Sequence, residues 1–192
     1  MRTRLLLLAG ALGLTGALGA LPAGASTTTT APPGVTVTYG PTWGRFTADF
    51  PQKPKNTTGS TVTAGFPSGT KGSAYSVSKQ KNLFGNAPVP PPPSTMVVAT
   101  QLPNATDARQ LVAGLQSEAG SQGAKVTLDG YTGFRWVGSV GGPLNKGAEA
   151  SDASAKQGTE VLAKGKVAYI ILAVEGSTGQ AKAFLQSFHP AG

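Results

Sequence analysis

Residues 167 to 174 read VAYIILAV, and no other stretch of the chain narrows its fold so sharply. A strand with one wet face alternates apolar and polar residues. This run is apolar in both phases, so it needs cover on both sides, as an inner strand or as a buried helix. Its length and its Val, Ile and Tyr content select the strand. A strand buried on two faces implies a sheet with apolar material packed above and below it. The rest of the chain must supply that material.

Two segments can do so as helices. Ala108, Leu111, Val112, Leu115 and Ala119 recur at helical spacing and form one apolar stripe. Asn104 stands where a cap is needed, Asp107 falls in the positive first turn, and Gly120 and Gly123 can stop the helix. Gly114 weakens it slightly or permits close packing on a sheet. Near the end, Ser177-Thr178-Gly179-Gln180 matches a capping box, and Ala181, Phe184, Leu185 and Phe188 form a second stripe. With one helix on each face, the expected fold class is α+β: a three-layer αβα sandwich around a mainly antiparallel, twisted sheet.

The remaining strands are read from period two. Residues 35–39 alternate, and Phe46, Ala48 and Phe50 oppose Arg45, Thr47 and Asp49. Pro51 ends that segment and Pro54 keeps the exit extended. Val62, Ala64 and Phe66 repeat the alternation before the turn signal Pro67-Ser68-Gly69. Tyr75 and Val77, then Met96 to Ala99, mark further strands. Lys125 to Leu128 and Tyr131 to Val140 flank Asp129-Gly130, and Gly158 to Lys164 and Lys166 to Glu175 form a hairpin around Gly165. Short turns favour an antiparallel meander.

The termini and loops set the organisation. Residues 1–25 read as a signal peptide: Arg2 and Arg4, an apolar run from Leu5 to Leu21, then Ala23-Gly24-Ala25 with the cut before Ser26. Residues 26–34 are a flexible Thr/Pro-rich leader, and 35–192 form a single domain with a proline-rich loop at 82–94. Four consecutive prolines at 90–93 stiffen that loop as polyproline II, and residues 143–155 form a second, small-residue loop. The expected location is outside the cell or in the cell envelope. The chain has no cysteine, so an exported domain here relies on packing alone. The formal net charge is +8, and cleavage removes two arginines from it. The lysines are dispersed and read as solvated surface.

Catalytic chemistry is poorly provided for. His189 is the only histidine and stands close to the end of the chain, where a Ser-His-Asp arrangement would depend on a terminus expected to fray. One histidine without cysteine gives no zinc set. Ser76-Val77-Ser78-Lys79 satisfies S-x-x-K, but in a strand its two functional side chains point to opposite faces, and the partner motifs S-D-N and K-T-G are absent. Phosphate-binding glycine loops and calcium loops are missing from the region after the signal peptide. Eight carboxylates leave little for a glycosidase pair. Asn56-Thr57-Thr58 and Asn104-Ala105-Thr106 match glycosylation sequons, though Asn104 is better used as a cap. No catalytic residue, metal ligand or cofactor is therefore expected. Trp43, Tyr131, Phe134 and Trp136 suit either a core or a ligand groove, and Arg135 is a cation opposite in phase to Trp136. Trp43, Arg135 and Trp136 are the ligand-binding candidates.

GRFTADFPQKPKN at 45–57, Gly130 with Phe134 and Arg135, Tyr169 within VAYIILAV, and Phe184, Ser187 and Phe188 together resemble a family of exported domains. That family is the PsbP/Mog-type domain of photosystem extrinsic subunits, Ran-binding proteins and actinobacterial envelope proteins. The likeness is patchy and runs over most of residues 44 to 189. It implies the αβα sandwich and a function in binding, with no shared catalytic residues to transfer. The expected function is a secreted or envelope-associated, non-enzymatic binding or accessory protein. Its partner would be another envelope protein or an amphiphilic ligand; nucleic acid is not expected, and membrane contact only through an uncleaved signal segment. Two alternatives stand beside it: a small serine-type hydrolase with atypical partners, and an electrostatic binder of anionic cell-wall polymers.

Overall fold

The computed structural model describes residues 37–77, 94–119, 123–139 and 155–191. The signal peptide, the 26–34 leader, the proline-rich loop at 82–93 and most of the small-residue loop lie outside the described residues.

Seven strands make the main sheet: β3 (Lys55–Thr58), β4 (Lys71–Val77), β5 (Ser94–Gln101), β6 (Ala124–Leu128), β7 (Tyr131–Ser139), β8 (Lys156–Lys164) and β9 (Val167–Glu175). Their order is β3-β4-β5-β9-β8-β7-β6, and every neighbouring pair is antiparallel. The VAYIILAV run lies in β9, between β5 and β8. Its two phases separate as the sequence requires. Ala168 and Ile170 enter one buried cluster, while Tyr169, Ile171 and Ala173 enter another on the opposite face.

Each face takes a helix. α2 (Ala105–Ala119) places Ala108 and Leu111 over Met96, Val98, Phe134, Val161 and Ile170. Its start is fastened by Asn104, whose Oδ1 accepts from the Asp107 N–H at 2.9 Å and whose Nδ2 donates to Asp107 Oδ2 at 2.8 Å. α3 (Thr178–Ser187) places Ala181, Phe184 and Leu185 over Val97, Leu162, Tyr169 and Ile171. Ser177 Oγ accepts from Gln180 N at 3.2 Å, and the Ser177 hydroxyl donates to Gln180 Oε1 at 3.0 Å. The Gln180 side chain thus reaches back to the cap's hydroxyl. Full burial of each large apolar side chain in these clusters contributes about 1.5–3 kcal/mol.

The expected αβα three-layer sandwich is not what the chain builds. Among the described residues it is mostly β, with 48% strand and 22% helix, and it has two sheets. The second sheet joins β1 (Thr38–Tyr39), β2 (Phe46–Thr47) and β10 (His189–Pro190) in the order β1-β2-β10. It shares the α3 face, where Phe46 packs 5.6 Å from Phe188 and 6.1 Å from Tyr169, ring centre to centre. Cover there comes from a helix and a small sheet together, so no helical layer forms on that side. The reason lies in residues 46–50. Their alternation does bury Phe46 and Ala48 fully and Phe50 partly. Alternation reports which side chains face a core, not which sheet the backbone joins. Only Phe46 and Thr47 enter a ladder, and they pair with Tyr39, Thr38 and the C-terminal His189 and Pro190.

Three local expectations also change. Val62, Ala64 and Phe66 do not form a strand. Residues Ser60–Thr63 make a single helical turn, α1, which buries Val62 in the α2-side cluster, and Phe66, past the end of that turn, packs against the same cluster. Lys55–Thr58 is a strand with no apolar signal, because it edges the sheet and exposes most of its side chains. The C-terminus is held by β10 and by the Ala191 N–H donating to Arg45 O at 2.8 Å.

Candidate functional site

The β6–β7 hairpin turns through Asp129-Gly130, and both residues have positive φ, 52° and 78°. Two residues with positive φ between paired strands make a type I′ turn, for which Asp-Gly is well suited. That turn sets the register. Lys125 lies opposite Phe134, and Thr127 opposite Thr132. Phe134 belongs to the α2-side cluster, so Lys125, Thr127 and Thr132 project from the same face of the sheet.

α2 rests chiefly on β8 and β7, leaving β6 to extend past it as the last strand of the sheet. Between helix and edge strand lies an open trough of about 550 Å³. Arg109, Val112, Ala113 and Gln116 form its helical wall, at a spacing that runs beside the buried stripe of Ala108 and Leu111. Lys125, Val126 and Thr127 form the opposite wall, with Thr132 and Ala163 between and Lys164 at the hairpin end.

The trough is cationic. The Arg109 and Lys125 side chains face it, and no carboxylate lines it among the described residues. Their existing contacts leave the charges uncompensated. Arg109 Nη2 donates to Thr106 Oγ1 at 3.2 Å. Lys164 borders the hairpin end, but its Nζ donates to the Asp129 carbonyl at 3.2 Å and stands 5.4 Å from the Tyr131 ring centre, on the α3 face. Lys125 has no side-chain hydrogen bond or ion pair among the described residues. The Asp129 carboxylate is directed to His189 Nδ1, 3.7 Å away. An anion about 4 Å from one of these cations gains from about 1 kcal/mol in water to about 4 kcal/mol in a surface groove of lower dielectric. Thr127 and Thr132 add hydroxyl donors, and Val112 and Ala163 add apolar surface.

The three sequence-derived candidates do not meet. Trp136 is buried on the α2 face, with Phe134. Arg135 points to the α3 face, because neighbours in a strand face opposite ways. Trp43 packs, partly buried, against the α3-side core. Tyr131 also faces that core, 5.3 Å from Tyr169 between ring centres. Arg135 instead has a structural partner. Its Nε donates to Glu160 Oε2, directly across the β7–β8 ladder. Glu160 is 0% exposed and its Oε1 has no hydrogen-bond partner among the described residues. Burial pushes the Glu160 carboxyl above its ordinary range, and the Arg135 guanidinium opposes that shift. Burial likewise raises Glu175. The lone histidine is held in β10 rather than at a loose end. Ser76 lies in β4, and its motif partner Lys79 falls outside the described residues.

Sequence reasoning missed the trough because its cations come from two separate elements and each reads as surface. The available signal was the second α2 stripe, Arg109 to Gln116, beside an Asp-Gly hairpin.

No family model and no curated protein matches the chain. Among solved structures, a crystal structure from Bacteroides thetaiotaomicron is similar at 9% identity, over 77% of this chain and 45% of that one, with a TM-score of 0.41. The chain therefore spans less than half the length of that protein. Likeness at this level bears on neither mechanism nor ligand.

Proposed function

We propose that this chain is an exported, non-enzymatic binding module of the cell envelope, and that it holds an anionic ligand in the α2–β6 trough. The observation that carries the reading is the charge of that trough: two cations from two elements, with no carboxylate among its described lining residues. A groove of one sign concentrates ligands of the other and speeds their capture. The lining contains no serine, histidine or carboxylate, so a nucleophile with its base would have to be assembled elsewhere. Its volume lies in the range of small-ligand sites. The motifs resembling exported PsbP/Mog-type domains support a binding role, whatever layers surround the sheet. The signal-peptide pattern at residues 1–25 supports export.

The test is a titration of the protein with tripolyphosphate, followed by backbone NMR. Shifts should concentrate at Arg109 and Lys125, weaken as salt rises, and affinity should fall at least tenfold when both become glutamine. Shifts confined to other surfaces, or equal binding by the double variant, would overturn the reading.

A further inference from the structure

The wall opposite α2 is not only a source of charge; among the described residues it is an unpaired strand edge. β6 closes the seven-stranded sheet, and β7 is its one neighbour among the described residues. A two-residue hairpin turn makes its flanking pair, Leu128 and Tyr131, a hydrogen-bonded pair. Pairing alternates from there. Val126 and Ala124 bond to β7, while the backbone N–H and C=O groups of Lys125 and Thr127 face away from it. These outward groups form a short template at the mouth of the trough. Lys125 and Thr127 side chains point to the α2 face, so a strand added to this edge would run beside the helix and under Arg109.

We infer that the α2–β6 trough docks an extended acidic peptide, which adds as a strand to the free edge of β6 while its carboxylates meet Arg109 and Lys125. The inference rests on the proposed anion-binding role of the trough and specifies its ligand. Strand addition uses main-chain hydrogen bonds for affinity and alternate side chains for specificity. Charge selects the occupant. Lysine on an edge strand disfavours pairing with a like edge, so a second copy of this chain would bring Lys125 towards another cationic edge. A partner segment with acidic residues every second position has the opposite sign and the matching period. The chain itself holds only eight acidic residues, and no three of them alternate within one segment.

The experiment compares three probes on the intact protein: tripolyphosphate, a blocked octapeptide alternating glutamate and valine, and the same peptide N-methylated at every second amide. The octapeptide should bind at least tenfold more tightly than its methylated form and should slow hydrogen exchange at the Lys125 and Thr127 amides. Thr127→Pro, which removes one outward donor, should weaken octapeptide binding by a similar factor. Equal binding of the two peptides, with tripolyphosphate also bound, would overturn strand addition and leave the anion trough standing. Failure of all three probes to bind the trough would overturn both. Sedimentation of the protein alone as a dimer, abolished by Thr127→Pro, would overturn the choice of an acidic partner.

Discussion

Arg135→Ala tests the electrostatic account of the sheet most directly. The substitution leaves Glu160 fully buried, with Oε2 bare as Oε1 already is. Breaking a buried pair by removing one member costs about 3–5 kcal/mol, because the other charge stays in a poor solvent. The Arg135 side chain is 24% exposed, so water screens part of the interaction and the low end applies, about 3 kcal/mol. For a domain of this size that corresponds to a fall in Tm of roughly 6–12 °C. Replacing both residues by methionine removes the charge and its partner together, and should cost under about 1 kcal/mol or stabilise.

The pH dependence has a definite sign. The folded-state pKa of Glu160 is raised, so its contribution is full below the unfolded value near about 4.3 and is lost as pH climbs through the folded value. Wild type should therefore lose stability relative to Glu160→Gln as pH rises from 4 to 8. The Arg135→Ala penalty should be larger at pH 8, where Glu160 is driven to ionise, than at pH 4. Urea unfolding followed by tryptophan fluorescence measures all of these. An Arg135→Ala cost below about 0.5 kcal/mol at pH 8, or a penalty that grows towards pH 4, would refute the buried-pair reasoning.

Two other substitutions probe the frame around the trough. A Cβ on Gly133 would stand 1.7 Å from the Val161 carbonyl oxygen, so Gly133→Ala forces β7 and β8 apart. It should cost at least about 1–3 kcal/mol in chemical denaturation and weaken anion binding beside it. Ser177→Ala removes the oxygen that accepts from Gln180 N, and should cost about 1 kcal/mol with hydrogen-exchange protection lost first in the opening turn of α3.

How far the sequence could be read depended on the range of each signal. VAYIILAV pointed to an inner strand with two covered faces, because eight residues apolar in both phases need cover on both sides and their length and Val, Ile and Tyr content favour a strand over a buried helix. The two helices, their caps and the Asp-Gly and Gly165 hairpins were equally legible, since each rests on spacing or turn chemistry within a few residues. Other features join residues far apart in the chain and were not. β2 meets β10 across more than half the sequence, through two-residue strands that carry no periodicity, and this turned the α3 face into a mixed layer. The polar edge β3 had no apolar pattern to read. Arg135 was legible as a cation out of phase with Trp136, but its partner Glu160 was set by the register of β7 on β8. The trough likewise depends on where α2 lies relative to β6. Period and capping determine what each segment becomes. Register and the path of the connections determine which segments meet, and only the tertiary structure decided that Arg109 and Lys125 face one groove.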